Sequence, residues 1–392
     1  MRRTGLLLFS CSSLLWASAA GAQDAPSSVQ IHGFVSQGFI KTTENNYLAQ
    51  SKRGSFDFSE VGINFTDALT DKFRVGIQLF AHELGPLGKY APQFDWYYLD
   101  YRFTDWFGVR GGRTKLPWGL YNEANDVDAG RVPILLPQSL YPVANREFLF
   151  AQNGGEIYGD ISLAAAGLLE YRAYGGTIFL NGVDTSAQLK DYGAPYMFGG
   201  RLMWLPFEGL QLGGSAQKLR FDIDYVPTPD QLAVYQMQGL VPANFSGTVS
   251  VKIPIALWVT SIEYQAHDLL LAAEYGRSYI EEKINLLIPT PSMVNQGGYG
   301  MASYRVNSWF TPGVYYSALF PDIHHSQHNR ASYQHDVALT LRYDLTANWL
   351  VKLEQHYMHG TAGLTTALND DKPLNTLTKD WGVFLVKTTA YF

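Results

Sequence analysis

Apolar and polar residues alternate along much of this chain with the two-residue period of β-strands. In the segment 333–343 one set of positions is apolar, and its members are Val337, Leu339, Leu341 and Tyr343. The intervening set is polar, and its members are Asp336, Thr340 and Arg342. Because successive side chains of a strand point to opposite sides of the sheet, this segment has one apolar face and one polar face. Similar segments recur throughout the chain, which predicts an all-β protein.

Short turns and long connections follow one another between these segments. Seven short turns, such as 103–107 and 264–269, separate eight longer connections, and 117–153 and 223–249 are the longest of these. The pattern predicts sixteen strands, at 29–41, 55–66, 72–83, 94–103, 107–116, 154–163, 168–180, 196–205, 210–222, 250–264, 268–279, 297–305, 309–319, 333–343, 349–359 and 379–392. An even strand number with short turns at one rim is typical of outer-membrane barrels. We therefore predict a transmembrane antiparallel β-barrel domain over 23–392, with short periplasmic turns and long extracellular loops.

The last predicted strand stays apolar up to its final residue. Its apolar face consists of Val386, Thr388, Ala390 and Phe392. A spanning sheet must close on itself, because an open edge would leave backbone polar groups unpaired in lipid. We expect 379–392 to pair with 29–41. Aromatic residues also flank the predicted short turns and predict a periplasmic girdle; they are Phe65, Phe73, Phe103, Phe107, Trp204, Tyr264, Tyr304, Trp309, Tyr343, Trp349 and Phe392.

Composition favours a membrane barrel over a soluble protein. Charged residues make up 16% of the chain, against roughly a quarter in soluble domains, and aromatic residues make up 14%. Beyond the N-terminus, no apolar run approaches the ~20 residues that a membrane helix needs. The strands of a soluble β-sandwich or β-helix also alternate apolar and polar residues. Such a fold would explain neither the regular change between short and long connections nor the apolar last strand.

The N-terminus has the features of a signal peptide. Arg2 and Arg3 precede an uncharged run that leads to Ala20-Gly21-Ala22, and this order predicts a secretory signal over 1–22. A lipoprotein signal that uses Cys11 is the alternative, although its apolar region would be only about half the usual length. Cys11 is the one cysteine, so we expect neither a disulfide nor a cysteine metal site in the mature chain. The net charge of −6 becomes more negative without Arg2 and Arg3, so no nucleic-acid partner is expected.

The long connection 117–153 is the candidate constriction loop. Loops of this length are usually functional or disordered. Its content of apolar residues argues against disorder. These residues are Ile134, Leu135, Leu136, Leu140, Tyr141, Phe148, Leu149 and Phe150. We expect this third loop to fold inward and narrow the pore. An outward loop that covers a neighbouring subunit or binds a partner is the alternative.

Four bases and four acids in and before this loop are the candidate pore-lining residues. They are Arg113, Lys115, Glu123, Asp126, Asp128, Arg131, Arg146 and Glu147. Their charges cancel, so selectivity depends on which of them face the open pore. Our hypothesis is that the bases at 113, 115 and 131 face the acids at 123, 126 and 128 across the narrowest section.

Further charges are expected on the lumen side of the strands. They are Asp100, Arg102, Glu170, Arg172, Arg201, Arg305, Arg342, Lys352 and Glu354. Several form i, i+2 pairs on one face, namely Asp100/Arg102, Glu170/Arg172 and Lys352/Glu354. Opposed charges across a lumen create a field that orients polar solutes. In the simpler interpretation, neighbouring ions neutralise one another and contribute under ~1 kcal/mol each.

One stretch resembles a known family. Gly111-Gly-Arg-Thr-Lys-Leu-Pro-Trp-Gly-Leu-Tyr-Asn-Glu123 is similar to the segment after the fifth strand in Gram-negative outer-membrane porins of the phosphate-selective O/P type. The resemblance implies a trimeric channel whose third loop narrows the pore, with anions such as phosphate as one candidate solute class. The chain departs from the anion-selective members, because its inward bases have acidic neighbours. The resemblance therefore supports a porin better than a phosphate-specific one.

These observations lead us to expect a porin in the outer membrane of a Gram-negative bacterium. It would be a homotrimer in contact with lipid, and small hydrophilic solutes and ions would diffuse through it. The alternative is a barrel whose long loops bind a partner, as an adhesin or structural protein, with little conductance. No enzyme motif occurs, so we expect no catalytic residue and no cofactor. His324, His325 and His328 lie in one loop, and incidental surface histidines explain them better than a metal site.

Overall fold

The computed structural model describes residues 29–178, 188–242, 244–324 and 329–392, without the side chain of Glu147. The predicted signal peptide 1–22 lies outside these residues. Within them the chain forms sixteen long strands and the two-residue strand β12. The strands are β1 (Gln30–Thr42), β2 (Phe58–Ala68), β3 (Phe73–Leu84), β4 (Gln93–Thr104), β5 (Phe107–Lys115), β6 (Ala151–Ser162), β7 (Leu168–Ile178), β8 (Leu189–Phe207), β9 (Leu210–Tyr225), β10 (Val249–Ala266), β11 (Leu269–Glu281), β12 (Lys283–Ile284), β13 (Ser292–Tyr304), β14 (Phe310–Phe320), β15 (Gln334–Thr346), β16 (Trp349–Gly360) and β17 (Asp380–Tyr391).

Helices are short and lie in the connections. Helix α1 covers Arg146–Leu149, and helix α2 covers Pro229–Met237. Thr228 caps α2, because its side chain accepts a hydrogen bond from the Gln231 N–H and the Gln231 side chain bonds back to the Thr228 N–H. None of the helices in the described ranges is long and apolar enough to cross a membrane.

The strands form one closed antiparallel barrel. Each long strand pairs with its neighbours in sequence, and β1 pairs with both β2 and β17. At this seam the register runs from Phe34 opposite Tyr391 to Thr42 opposite Val383. Phe392 extends the pairing, since its N–H donates to the Gly33 oxygen at 3.0 Å. The predicted sixteen-strand barrel and the predicted pairing of the last strand with the first are therefore confirmed.

Several strands begin earlier than the alternation predicts. Strand β6 begins at Ala151 rather than at 154, β8 at Leu189 rather than at 196, and β13 at Ser292 rather than at 297. All three extensions lie at the rim that carries the long connections. The early part of β8 contains Lys190 and Asp191, which are exposed polar residues. The apolar–polar rule does not detect strands there, because it depends on one face contacting a hydrophobic phase.

The two faces of the barrel differ as predicted. On β15 the outward Leu339 is 47% exposed, whereas the inward Thr340 is 2% exposed. On β16 the outward Tyr357 is 60% exposed and the inward His356 is fully buried. Exposed aromatic side chains surround the short-turn rim, among them Phe103, Trp204, Tyr304, Trp309, Trp349 and Phe392. The outer surface is therefore apolar, with a band of aromatic residues at its short-turn end.

The connection between β5 and β6, residues 116–150, folds into the barrel; we call it the third loop. Its side chains Leu116, Trp118 and Leu136 are buried in one cluster with inward residues of the wall, which include Met197, Leu219, Val259, Tyr299 and Met301. Ile134 and Leu135 belong to a second cluster with Tyr47 and Trp381 near the long-loop rim. The inward-folded third loop is confirmed, and the core of the protein lies between this loop and the inner wall.

Candidate pore and constriction loop

The ends of the third loop are tied together where it leaves the wall. The Leu116 N–H donates to the Phe150 oxygen at 2.8 Å. The side-chain amide of Asn122 donates to the oxygens of Leu116 and Leu149 at 3.0 and 2.8 Å. These bonds close the base of the loop. The loop therefore enters the lumen from a fixed point at the end of β5.

Gly119 permits the close approach of the loop to the β10–β11 wall. Its φ of +57° lies in the left-handed region that L-residues with side chains rarely adopt. A Cβ atom at this position would lie 2.3 Å from the Tyr141 hydroxyl oxygen and 2.7 Å from Oε1 of Glu274. Only glycine fits this position without displacing its neighbours, which gives a structural reason for the glycine in the Pro-Trp-Gly segment.

Carboxylates of the wall accept hydrogen bonds from the loop on this side. Glu274 accepts bonds from the Leu120 N–H at 3.0 Å and from the Tyr141 hydroxyl. Glu263 accepts a bond from the Tyr121 hydroxyl at 2.7 Å. Both glutamates are buried, so these bonds satisfy polar groups that would otherwise be costly. Sequence reasoning missed both glutamates, although each occupies an inward position of its strand.

A second part of the wall, β15–β16, holds the middle of the loop in the same manner. Glu354 accepts the N–H groups of Ile134 and Leu135 at 2.7 and 2.9 Å. Arg342 donates to the backbone oxygens of Ala129 and Arg131 at 2.7 and 3.1 Å. The loop is therefore attached both to β10–β11 and to β15–β16, which are separated in the barrel by the long strands β13 and β14.

Asp128 contacts three side chains of the barrel wall. Its carboxylate lies 3.0 Å from Lys352 Nζ and 3.4 Å from Lys387 Nζ, and it accepts the Thr389 hydroxyl at 2.8 Å. Lys387 also lies 2.6 Å from Glu60 on β2. Burial alone raises the pKa of Asp128, but the two lysines outweigh it and hold the pKa well below its usual range. Asp128 thus connects the loop to β16 and β17.

Asp126 pairs with the base at the end of β5. It lies 2.7 Å from Lys115 Nζ, and it accepts the Gln78 side-chain amide at 2.7 Å. Burial raises the pKa of Asp126, but Lys115 outweighs it, so the net effect is a lowered pKa. Near this pair Arg146 donates twice to Asp95, at 2.8 and 2.7 Å. Gln78 and Asp95 were not among the predicted site residues.

Glu123 binds two arginines of the wall. One of its oxygens accepts from Arg172, and the other lies 2.9 Å from Arg201 Nη1. Arg172 also forms a bidentate pair with the buried Glu156, at 2.9 and 2.7 Å. Burial raises the pKa of Glu123, but Arg172 and Arg201 outweigh it and lower the pKa to about 2. Glu123 is therefore ionised under all ordinary conditions.

The three bases and three acids do not form the hypothesised facing rows. Lys115 faces Asp126, as expected, and Arg131 lies 3.9 Å from Asp128. Arg113, however, donates from Nε to the backbone oxygen of Asp95 at 2.9 Å. Each acid of the loop binds a different part of the wall, and the side chain of Glu147 lies outside the described residues. That these residues line the conducting path stays a prediction.

Most of the expected i, i+2 charge pairs have other partners. Asp100 lies 3.2 Å from Arg110 and Arg102 lies 2.9 Å from Asp160, while Lys352 pairs with Asp128. Residues directly opposite on neighbouring strands lie about 5 Å apart, which is closer than the roughly 6.6 Å between i and i+2 along one strand. This explains the pairing of Asp100 with Arg110, which is directly opposite on β5, whereas Arg102 reaches Asp160 on β6 and Lys352 binds Asp128 of the third loop.

Arg305 is not on the lumen wall. Strand β13 ends at Tyr304, and Arg305 is exposed in the short turn that follows. Its N–H donates to the Asp268 oxygen of the neighbouring turn at 2.9 Å. The predicted strand extended one residue too far, to 305, and therefore placed Arg305 on the lumen wall instead of in the turn.

A small cavity remains between the third loop and the β2–β3 wall. It encloses about 40 Å³, which is room for water. Its charged lining residues are Glu60, Glu83, Asp126, Arg131 and Arg146, and its apolar lining residues include Phe58 and Phe80. Polar groups of both signs therefore face the gap beside the loop.

The histidine-rich loop gives no metal site within the described chain. His324 is described, but residues 325–328 lie outside the described ranges. Among the described residues, no group of three or more His, Cys, Asp or Glu side chains is arranged to hold a metal ion.

Comparisons with known proteins identify the fold. No family model matches the chain. An uncharacterised protein of Aquifex aeolicus (strain VF5) is 30% identical over 166 residues, which are 41% of this chain and 34% of that protein. The chain thus spans about a third of the length of this curated relative.

Solved outer-membrane proteins resemble the chain over nearly its whole length. OmpT of Vibrio cholerae has a TM-score of 0.59 at 12% identity, over 95% of this chain and 99% of that chain. Its trimer form gives 0.56 at 11% identity, over 93% and 99%. An anion-selective porin from Comamonas acidovorans gives 0.55 at 12% identity, over 93% and 100%. The chain therefore has the barrel fold of outer-membrane porins and channels.

Proposed function

We propose that this protein is an outer-membrane porin through which small hydrophilic solutes and ions diffuse. The observation that carries this proposal is the charged interior of a barrel with an apolar outer surface. Glu123, Arg172 and Arg201 are partly exposed to the lumen, and Asp126 and Arg131 line the gap beside the third loop. Ionised groups in such positions need water or counter-ions around them, which is what a conducting lumen supplies.

The third loop sets the size limit in this proposal. It is attached to several strands around the barrel, so it narrows the lumen permanently rather than as a mobile gate. The resemblance to phosphate-selective porins and the likeness to an anion-selective porin favour anions as one solute class. The near balance of inward acids and bases argues for weak selectivity. The trimer form of the Vibrio cholerae OmpT supports a homotrimer.

A planar lipid bilayer tests the proposal directly. Folded protein should insert and give discrete conductance steps, and heat-denatured protein from the same preparation should give none. Reversal potentials in a salt gradient then measure the anion–cation preference. Silence from folded, inserted protein would contradict the channel. It would favour the alternative of a barrel whose long loops bind a partner.

A further inference from the structure

Arg172 on β7 and Arg201 on β8 are directly opposite each other in the barrel wall. Side chains in such positions start about 5 Å apart, and like charges placed there repel. The site therefore carries two positive groups that require an anion between them. In the structure, Glu123 of the third loop supplies that anion, with one oxygen on each guanidinium.

The two arginines differ in their other partners. Arg172 already has a bidentate bond with the fully buried Glu156, so only Nη1 turns to Glu123. Within the described chain, Glu123 is the only carboxylate within 4.0 Å of Arg201. Removing Glu123 from the site would leave Arg201 without a carboxylate in direct contact, although the charge of Glu170 on β7 also acts on Arg201. One unit of negative charge would then be missing.

The site is open to the lumen. The side chain of Glu123 is 30% exposed, whereas Glu156 behind it has no exposure. The anion that faces solvent is thus the one carried by the loop, and a solute can approach the arginines from the same side. A carboxylate restores the missing charge with the same two-oxygen geometry. A doubly charged phosphate would add a charge close to Glu156.

We propose that Arg172 and Arg201 form a binding site for small carboxylate solutes, and that Glu123 occupies this site as a tethered competitor. The inference rests on the proposed channel function, since it gives the lumen a preferred solute class. A tethered group competes at a high effective concentration, so it weakens solute binding without closing the site. Weak binding suits a channel, because a solute must also leave.

The test measures acetate binding to folded protein in deuterated detergent by saturation-transfer NMR of the acetate methyl group. Glu123→Gln should bind acetate about tenfold more tightly than the parent, because the tethered competitor is removed. Arg201→Gln should lose acetate binding. Glu208→Gln is the matched control, because Glu208 is exposed in the short turn after β8 and should leave binding unchanged.

Glu123→Asp is a second test in case the neutral variant Glu123→Gln does not fold. It keeps the charge, but the shorter side chain cannot reach both guanidinium groups, so acetate binding should again tighten. If neither Glu123 variant binds acetate more tightly than Glu208→Gln, the inference is wrong. If phosphate binds the parent more tightly than acetate, the carboxylate class is wrong. Because this measurement needs no current, its failure is distinct from silence in the bilayer, which would contradict the channel itself.

Discussion

Lys352 and Asp128 form an ion pair of 3.0 Å in which neither side chain has any solvent exposure. Lys352 also donates to the backbone oxygens of Asp128 and Arg131, at 2.7 and 2.9 Å. A buried pair of this kind is costly to break from one side, because the remaining partner keeps its charge and loses part of its compensation. Without Lys352, Asp128 would keep Lys387 and Arg131 as cationic neighbours. The pair holds the third loop against β16.

Replacing Lys352 by Met should destabilise the barrel strongly. Removing one partner of a buried pair typically costs about 3–5 kcal/mol. The measurement is the urea midpoint for unfolding in lipid vesicles. Lys372→Met is the control, since Lys372 and Asp370 form an exposed pair whose loss should cost under ~1 kcal/mol. Equal midpoints for the two variants would contradict the role of Lys352.

Gly119→Ala should displace the third loop from the β10–β11 wall. The substitution combines a backbone cost of about 1–3 kcal/mol at positive φ with a collision against Tyr141 and Glu274. Gly239→Ala is the matched control, because Gly239 has a φ of +68° and nothing lies within 4 Å of its added Cβ. We expect a larger fall in the unfolding midpoint and noisier currents for Gly119→Ala only. The same midpoint for both variants would show that the contact with the wall is unimportant.

The ion pairs of Glu123 should be insensitive to pH above the ordinary glutamate pKa. Because the folded-state pKa is lowered from 4.5 to about 2, this carboxylate stabilises the fold at pH values above 4.5, and the contribution is lost as pH falls through about 2. The difference in urea unfolding midpoint between the parent and Glu123→Gln should stay constant from pH 8 to pH 5 and should shrink below pH 5. A difference that already disappears between pH 7 and 5 would refute this assignment.

The two rims should be accessible from opposite sides of the membrane. Tags inserted near Asp230 or Asp370, in long connections, should react with non-permeant reagents on intact cells. Tags near Asp105 or Asn348, in short turns, should not react until the outer membrane is opened. A tag near Asp184 serves as a further long-connection site, although this residue lies outside the described ranges. The reverse pattern would overturn the assignment of short turns to the periplasm.

The barrel was predictable because its rules are local. Alternation tells which residues share a face, so the inward positions of Thr340, Lys352 and Glu354 could be identified from sequence alone. The short turns then gave the strand number and the closing pair. Boundaries were less accurate at the long-loop rim, where neither face of the strand contacts lipid.

The partners of the third loop could not be predicted, because they are far apart in sequence. Glu354 binds the N–H of Ile134 across 220 positions, and Thr389 binds Asp128 across 261 positions. Alternation places Glu354 in the lumen, but it does not say which loop residue lies opposite. The like-charged neighbours Arg172 and Arg201 depend on strand register, which a single sequence does not determine to one residue.

The contacts of Asp128 also bear on the order of assembly. Lys387 and Thr389 belong to the last strand, and Lys352 belongs to the strand before it. Asp128 lies 224 positions before Lys352 and 261 positions before Thr389. Contacts across so many residues form late and slowly, because the intervening chain must first be ordered. The third loop consequently reaches its final position only when the first and last strands have joined, so an incompletely closed barrel retains a loosely held loop.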